Sequence, residues 1–158
     1  MSETQFTIDK PALEVRTERV FKASPQRLWQ AVTDPAQIPQ WWGPGKYQTL
    51  IETDDHTVGG KWRYIQTDPD DGSEHAFSGE YREIDEPNKL VRTFTYEPIP
   101  GHALVETLSL EDLGNGMTKF TTTARYADIE DLEGMVSMGM ESGQRESLER
   151  LAALIETA

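Results

Sequence analysis

From Tyr47 to Tyr126 the chain reads as β-branched and aromatic runs cut at short intervals by turn clusters, a pattern that admits few folds. The cuts are Gly59-Gly60, Asp68-Pro69-Asp70-Asp71-Gly72, Glu86-Pro87-Asn88, Pro98-Ile99-Pro100-Gly101 and Gly114-Asn115-Gly116. Glycine supplies positive φ and proline a fixed φ, so each cluster reverses the chain. Strands are expected at 47–53, 61–67, 75–84, 89–97, 103–112 and 117–126, joined as a meander of hairpins. Residues 14–22, EVRTERVFK, add an earlier strand and make a seven-stranded antiparallel sheet. Residues 1–12 are expected as an N-terminal arm, and residues 13–158 as a single domain with one core.

Helical signals flank the meander. In Ser24-Pro25 the serine accepts from an orphan amide of the first turn, and proline costs nothing at the first helical position, which predicts a helix over 25–32. Asp34-Pro35 repeats the signal and predicts a second short helix from Ala36 to Trp42, stopped by Gly43-Pro44-Gly45. A final helix is expected from Asp128 nearly to the C-terminus, with Glu130, Asp131 and Glu133 near its positive end. A one-faced antiparallel sheet covered by a long helix defines an α+β fold.

The charge narrows the partners. Acidic residues number 28 against 15 basic ones, a formal charge of −13, so no nucleic acid and no anionic membrane surface is expected as a partner. With no cysteine, the chain has neither disulfides nor thiolate chemistry, and it fits a reducing compartment. The opening residues lack a basic and apolar leader, and the late apolar run Leu151–Ile155 is too short for membrane insertion, so a cytoplasmic protein is expected.

The final helix changes character along its length. Leu148, Leu151, Ala152 and Ile155 fall at i, i+3, i+4 and i+7, an inward stripe of ordinary core. Extended backwards, the same line meets Gln144, Glu141 and Ser137, and a polar inner face suggests a space. Gly134, Gly139 and Gly143 interrupt this stretch, and Met135, Met138 and Met140 cluster in it. The pattern fits either a loosely packed helix end or a lid over a cavity. On the sheet, alternation places Trp62 with Tyr64, and His75 with Phe77, Gly79 and Tyr81. Glu106 shares a face with Leu104, Leu108 and Leu110, so if that face is inward its carboxylate needs a donor, a proton or solvent. The alternative register turns Val105 and Thr107 inward instead. Phe120, Thr122 and Ala124 make a similar mixed face. Phe94 shares its face with Arg92, which resists burial.

Several chemistries fail on spacing. His56, His75 and His102 sit in different elements with no paired metal-ligand spacing, and Asp68–Gly72 lacks the full calcium-loop pattern. Neither a phosphate-binding loop nor a nucleophile elbow is present. No metal and no cofactor is implied. His75, Glu106 and Glu141 remain as proton-transfer candidates, and they form an acid/base group only if all three meet in one cavity.

The order of these elements, with Trp41-Trp42-Gly43, Gly59-Gly60-Lys61-Trp62-Arg63-Tyr64, Phe77-Ser78-Gly79-Glu80-Tyr81-Arg82-Glu83-Ile84, Lys89-Leu90-Val91 and Gln144-Arg145-Glu146-Ser147-Leu148-Glu149-Arg150-Leu151, resembles the SRPBCC (START-like) superfamily. Within it the chain is most similar to the bacterial single-domain branch related to the activator of the heat-shock-protein ATPase, over about residues 13–156. The resemblance implies a helix-grip fold, a curved sheet wrapped around the C-terminal helix with an apolar cavity between them. Where the branch commonly carries Trp after the helix glycine, this chain has Gln144 after Gly143, which implies a wider or more hydrophilic cavity.

The leading expectation is therefore the binding of a small hydrophobic ligand, lipid-like or aromatic and polyketide-like, with little or no catalysis. Trp42, Trp62, Tyr64, Phe77, Phe94, Phe120 and Met138 are the candidate apolar and gating contacts; His75, Glu106, Glu141 and Gln144 are the candidate polar ones. A polyketide cyclase- or dehydratase-like enzyme using the His/Glu cluster is the second expectation. A protein-interaction or co-chaperone-like module is the third. Chaperone stimulation itself is not expected, because the thirteen residues before the first strand cannot replace the extra domain of the eukaryotic activator.

Overall fold

The meander is present in the computed structural model of the chain, which describes residues 3–43 and 45–156. The elements are β1 (Gln5–Asp9), β2 (Glu14–Phe21), α1 (Pro25–Thr33), β3 (Gln48–Asp54), β4 (Lys61–Thr67), β5 (Glu74–Asp85), β6 (Lys89–Tyr96), β7 (Leu104–Gly114), β8 (Met117–Arg125), α2 (Ile129–Ser137) and α3 (Met140–Ile155). The strands form one antiparallel sheet in the order β1-β2-β8-β7-β6-β5-β4-β3, with α3 packed along its inner face in the helix-grip arrangement. α1 starts where the Ser24 hydroxyl accepts from the Arg27 amide at 3.2 Å, with Pro25 in the first turn.

The structure corrects three expectations. The sheet has eight strands, because the arm supplies β1, paired with β2 through Phe6↔Thr17 and Ile8↔Val15. The turn between them hinges on Leu13 at φ 57°, held by an Asp9 carboxylate that accepts from the Ala12 amide, and leucine is not a residue that announces a turn. The second short helix shrinks to a 3-10 turn at Ile38–Gln40. Pro39 lacks the amide that an α-helix needs there and disfavours helical backbone at Ile38. The Trp41 indole then donates to the Ala31 carbonyl at 2.7 Å and ties the turn back onto α1. Of the expected stop Gly43-Pro44-Gly45, Pro44 lies outside the described residues, as do residues 1, 2, 157 and 158.

The third correction concerns the final helix, which is two helices. α2 is capped by Asp128, whose carboxylate accepts from the Asp131 amide, and it ends at Met138. Gly139 follows in the left-handed region at φ 90°, a conformation that terminates helices and favours glycine, and α3 restarts at Met140. Along α3 the cavity is lined by Met140, Gly143 with Gln144, and Ser147 with Leu148, and the buried stripe continues through Leu151 with Ala152 and Ile155. Glu141 is turned outward and pairs with Arg145 one turn on, and Ser137 is exposed.

The core lies at the far end of α3. Leu148, Leu151, Ala152 and Ile155 pack with Phe21, Leu28, Trp29, Val32 and Phe120 in one cluster. Burying a leucine or phenylalanine side chain stabilises by about 1.5 to 3 kcal/mol, so this cluster anchors the helix to the sheet.

Candidate functional site

Toward the start of α3 the packing opens into a cavity of about 440 Å³ between the helix and the sheet. Small or polar residues on the inward line, Gly143, Gln144 and Ser147, leave it unfilled from the helix side. Its sheet wall is aromatic because the ladder places like residues side by side. Tyr64 on β4 is opposite Phe77 on β5, which is opposite Tyr96 on β6. Trp42 meets this wall edge-on, with ring centroids 5.1 Å from both Tyr64 and Phe77, and 6.5 Å from Phe94. Phe77 in turn lies 5.6 Å from Phe94 and 5.2 Å from Tyr96. Such offset and edge-to-face contacts are the favoured geometries for rings.

Glu106 points into this cavity together with Leu104 and Leu108, which decides between the two registers considered for β7. Its donor is Arg92, directly opposite on β6, whose Nε reaches the carboxylate at 2.7 Å. Arg92 Nη1 also donates to the Tyr64 hydroxyl at 3.1 Å, and the guanidinium lies 4.0 Å from the centroid of the Trp62 ring. Burial alone would pull the Arg92 pKa down, but the Glu106 carboxylate, with Tyr64 and Tyr81, holds it above its ordinary value. The residue expected to resist burial is thus buried because its charge is paired, hydrogen-bonded and stacked. Burial raises the pKa of the Tyr64 hydroxyl despite Arg92, and raises that of Tyr81, which donates to Asp54 at 2.5 Å. Burial, then the negative charge of Glu106, raises that of Tyr126.

A backbone detail shapes the wall. Between Ser78↔Thr95 and Tyr81↔Arg92 the β5–β6 ladder leaves residues 79 and 80 without regular partners, and the Glu80 amide donates to the Thr93 hydroxyl instead. The Trp62 indole satisfies the Thr93 carbonyl at 3.2 Å. Gly79 permits this approach, since a Cβ there would stand 1.9 Å from that carbonyl oxygen.

Of the residues expected in the site, Trp42, Tyr64, His75, Phe77, Phe94, Glu106, Phe120, Met138 and Gln144 line the cavity. Two do not. Trp62 is buried behind the wall, supporting Arg92 and Thr93, and Glu141 lies outside on the exposed side of α3. The three proton-transfer candidates therefore do not meet: Glu106 is paired with Arg92, and His75 Nδ1 lies 2.7 Å from the Tyr96 hydroxyl beside Tyr47. Sequence reasoning missed Arg92, Gln66, Tyr96 and Tyr126 as lining residues. Arg92 had a signal, namely an inward carboxylate in need of a donor and an arginine on the neighbouring strand. Among the described residues, no group of three or more His, Asp or Glu is placed to hold a metal ion. Among the same described residues, no helix is long and apolar enough to cross a membrane.

The family model for activator of Hsp90 ATPase homolog 1-like proteins matches residues 22–156. Among solved structures, the chain is similar to a protein from Arthrobacter aurescens determined by solution NMR, with 32% identity, 94% of this chain and 89% of that one covered, and a TM-score of 0.86. It is also similar to protein Ms6760 from Mycobacterium smegmatis, with 27% identity, 96% of each chain covered and a TM-score of 0.83. A protein from Rhodobacter sphaeroides shares the fold at 24% identity and a TM-score of 0.85, over 96% of this chain and 97% of that one. No curated protein matches the sequence.

Proposed function

We propose that this chain, which belongs to the activator of Hsp90 ATPase homolog 1-like family, binds a small hydrophobic, aromatic ligand in the cavity between the sheet and α3. The fold commonly binds hydrophobic ligands. The observation that carries the reading is an aromatic wall of Trp42, Tyr64, Phe77, Phe94 and Tyr96 facing about 440 Å³ of unfilled volume, within the range of roughly 300 to 1,000 Å³ typical of ligand sites. Phe120 and Met138 extend the apolar surface; His75, Glu106 and Gln144 are the polar contacts. Trp62 and Glu141 leave the set. Binding rather than cyclase- or dehydratase-like catalysis is supported by the dispersal of the candidate acid/base group: Glu106 is ion-paired with Arg92, His75 is hydrogen-bonded to Tyr96, and Glu141 lies outside the cavity.

The neutral dye N-phenyl-1-naphthylamine tests this. Its fluorescence is expected to rise saturably on mixing with the protein, and Gln144→Trp, which places an indole in the cavity, is expected to weaken binding about tenfold or more with the thermal midpoint retained. Absence of saturable binding, or unchanged binding in a folded Gln144→Trp variant, overturns the reading.

A further inference from the structure

The buried ion pair leaves two hydrogen-bonding positions open. Arg92 uses Nε on Glu106 Oε1 and Nη1 on the Tyr64 hydroxyl, while no described residue hydrogen-bonds Arg92 Nη2 or Glu106 Oε2. The two side chains keep 9% and 21% of their exposure, and both line the cavity, so what is open of them opens there. The cavity therefore presents a donor and an acceptor on adjacent strands, joined to each other by a 2.7 Å contact.

The charges on the pair cancel, and this decides what kind of head group suits it. A carboxylate that approaches Arg92 also meets Glu106, and an ammonium that approaches Glu106 also meets Arg92; either one gives up its hydration for a partner already neutralised. The chain's formal charge of −13 gives an anion no help from a distance. The neighbouring hydroxyls of Tyr64 and Tyr126 have pKa values raised by burial, so they are uncharged at neutral pH and add no ion to the site. A wholly apolar ring fills the volume but strands a buried donor and acceptor without water.

We propose that the ligand is a neutral aromatic molecule whose polar edge carries an acceptor and a donor side by side, as in a primary amide or adjacent hydroxyl and carbonyl groups, with the acceptor on Arg92 Nη2 and the donor on Glu106 Oε2. This rests on the cavity being the binding site. It assigns Arg92, with Glu106, as the residues that select the ligand's head group, while the aromatic wall selects its ring.

Four probes that share one ring system separate the possibilities: 2-naphthamide, 2-naphthoate, 2-naphthylmethylammonium and 2-methylnaphthalene, each measured by displacement of N-phenyl-1-naphthylamine at neutral pH. The amide is expected to bind about tenfold more tightly than each of the other three, the worth of roughly one well-made hydrogen bond. In Glu106→Gln the site gains a net positive charge, and the order is expected to turn toward the naphthoate. Equal affinities for all four, or the naphthoate or the ammonium binding tightest to the unmodified protein, overturn the selection by the pair and leave the cavity reading standing. Failure of all four, and of the dye, overturns the cavity reading and this inference with it. The ranking on the unmodified protein decides the matter if Glu106→Gln does not fold.

Discussion

The two ends of α3 rest on the same sheet and are built differently. At the C-terminal end Leu151, Ala152 and Ile155 close against Phe21, Leu28 and Trp29. At the N-terminal end Gly143 and Gln144, with Glu106 and Thr122 of the sheet, line an unfilled volume, and Met140 touches Tyr126 at its edge. The backbone arrangement is common to both ends. What separates them is the size and polarity of the residues at a single stripe of helix positions, so a helix-grip fold sets solid core and cavity on one scaffold by side-chain choice alone.

That contrast predicts unequal responses to mutation. Leu151→Ala removes a fully buried side chain where the surroundings cannot collapse, and should cost about 2 to 5 kcal/mol in denaturant unfolding. A loss below 1 kcal/mol would mean that the C-terminal end is not tightly packed. Gly79→Ala probes the wall of the hollow end, which is held by backbone proximity rather than by filling; the clash with the Thr93 carbonyl should cost about 2 kcal/mol and perturb tryptophan fluorescence through Trp62. An unshifted unfolding midpoint would show that the ladder tolerates a Cβ at that point.

Alkaline titration sharpens the comparison further. Tyr64, Tyr81 and Tyr126 have pKa values raised in the folded state above the ordinary value near 10. Above that pH the unfolded chain loses protons that the folded chain keeps. Stability is therefore fully present below about pH 10 and should fall as pH rises beyond it, by up to about 1.4 kcal/mol per pH unit for each tyrosine. Phenolate absorbance at 295 nm and unfolding followed together would show these three ionising only as the protein unfolds; reversible ionisation of all five tyrosines in the native state would contradict the burial described here. The smallest effect is expected at Met138→Ala. That side chain is 65% exposed at the edge of the cavity, so unfolding free energy should change by less than about 0.5 kcal/mol.

Much of the strand pattern was legible because glycine and proline mark the reversals: β4 starts and ends where the turn clusters place it, and the other meander strands end within two residues of expectation. β1 was not, because five residues with partly exposed Phe6 and Ile8 make a weak period-two signal, and the turn after it uses a leucine in place of a turn former. The glycines of the final helix point to the right segment, yet they do not say that Gly139 breaks it. Glu141 belongs to the same helix as Leu148, but the stripe that lines the cavity at its first turns is Met140, Gly143 and Gln144, rotated from the line carried back from Leu148, and Glu141 pairs with Arg145 outside it. For the site, alternation identified inward faces but is blind to which strands lie side by side. An inward Glu106 needs a donor, a proton or solvent, and Arg92 resists burial; the ladder that sets them opposite each other answers both.

The sheet order also bears on how the chain assembles. Phe21 pairs with Thr118, 97 positions later, so β2 has no neighbour on that side until the final hairpin of the meander exists. Closing so long a loop carries an entropic penalty that local contacts cannot offset early, and chains dominated by distant pairings fold in milliseconds to seconds rather than microseconds. During synthesis β2 is made well before β8, so that edge of β2 has no native partner until the last strand of the meander is available.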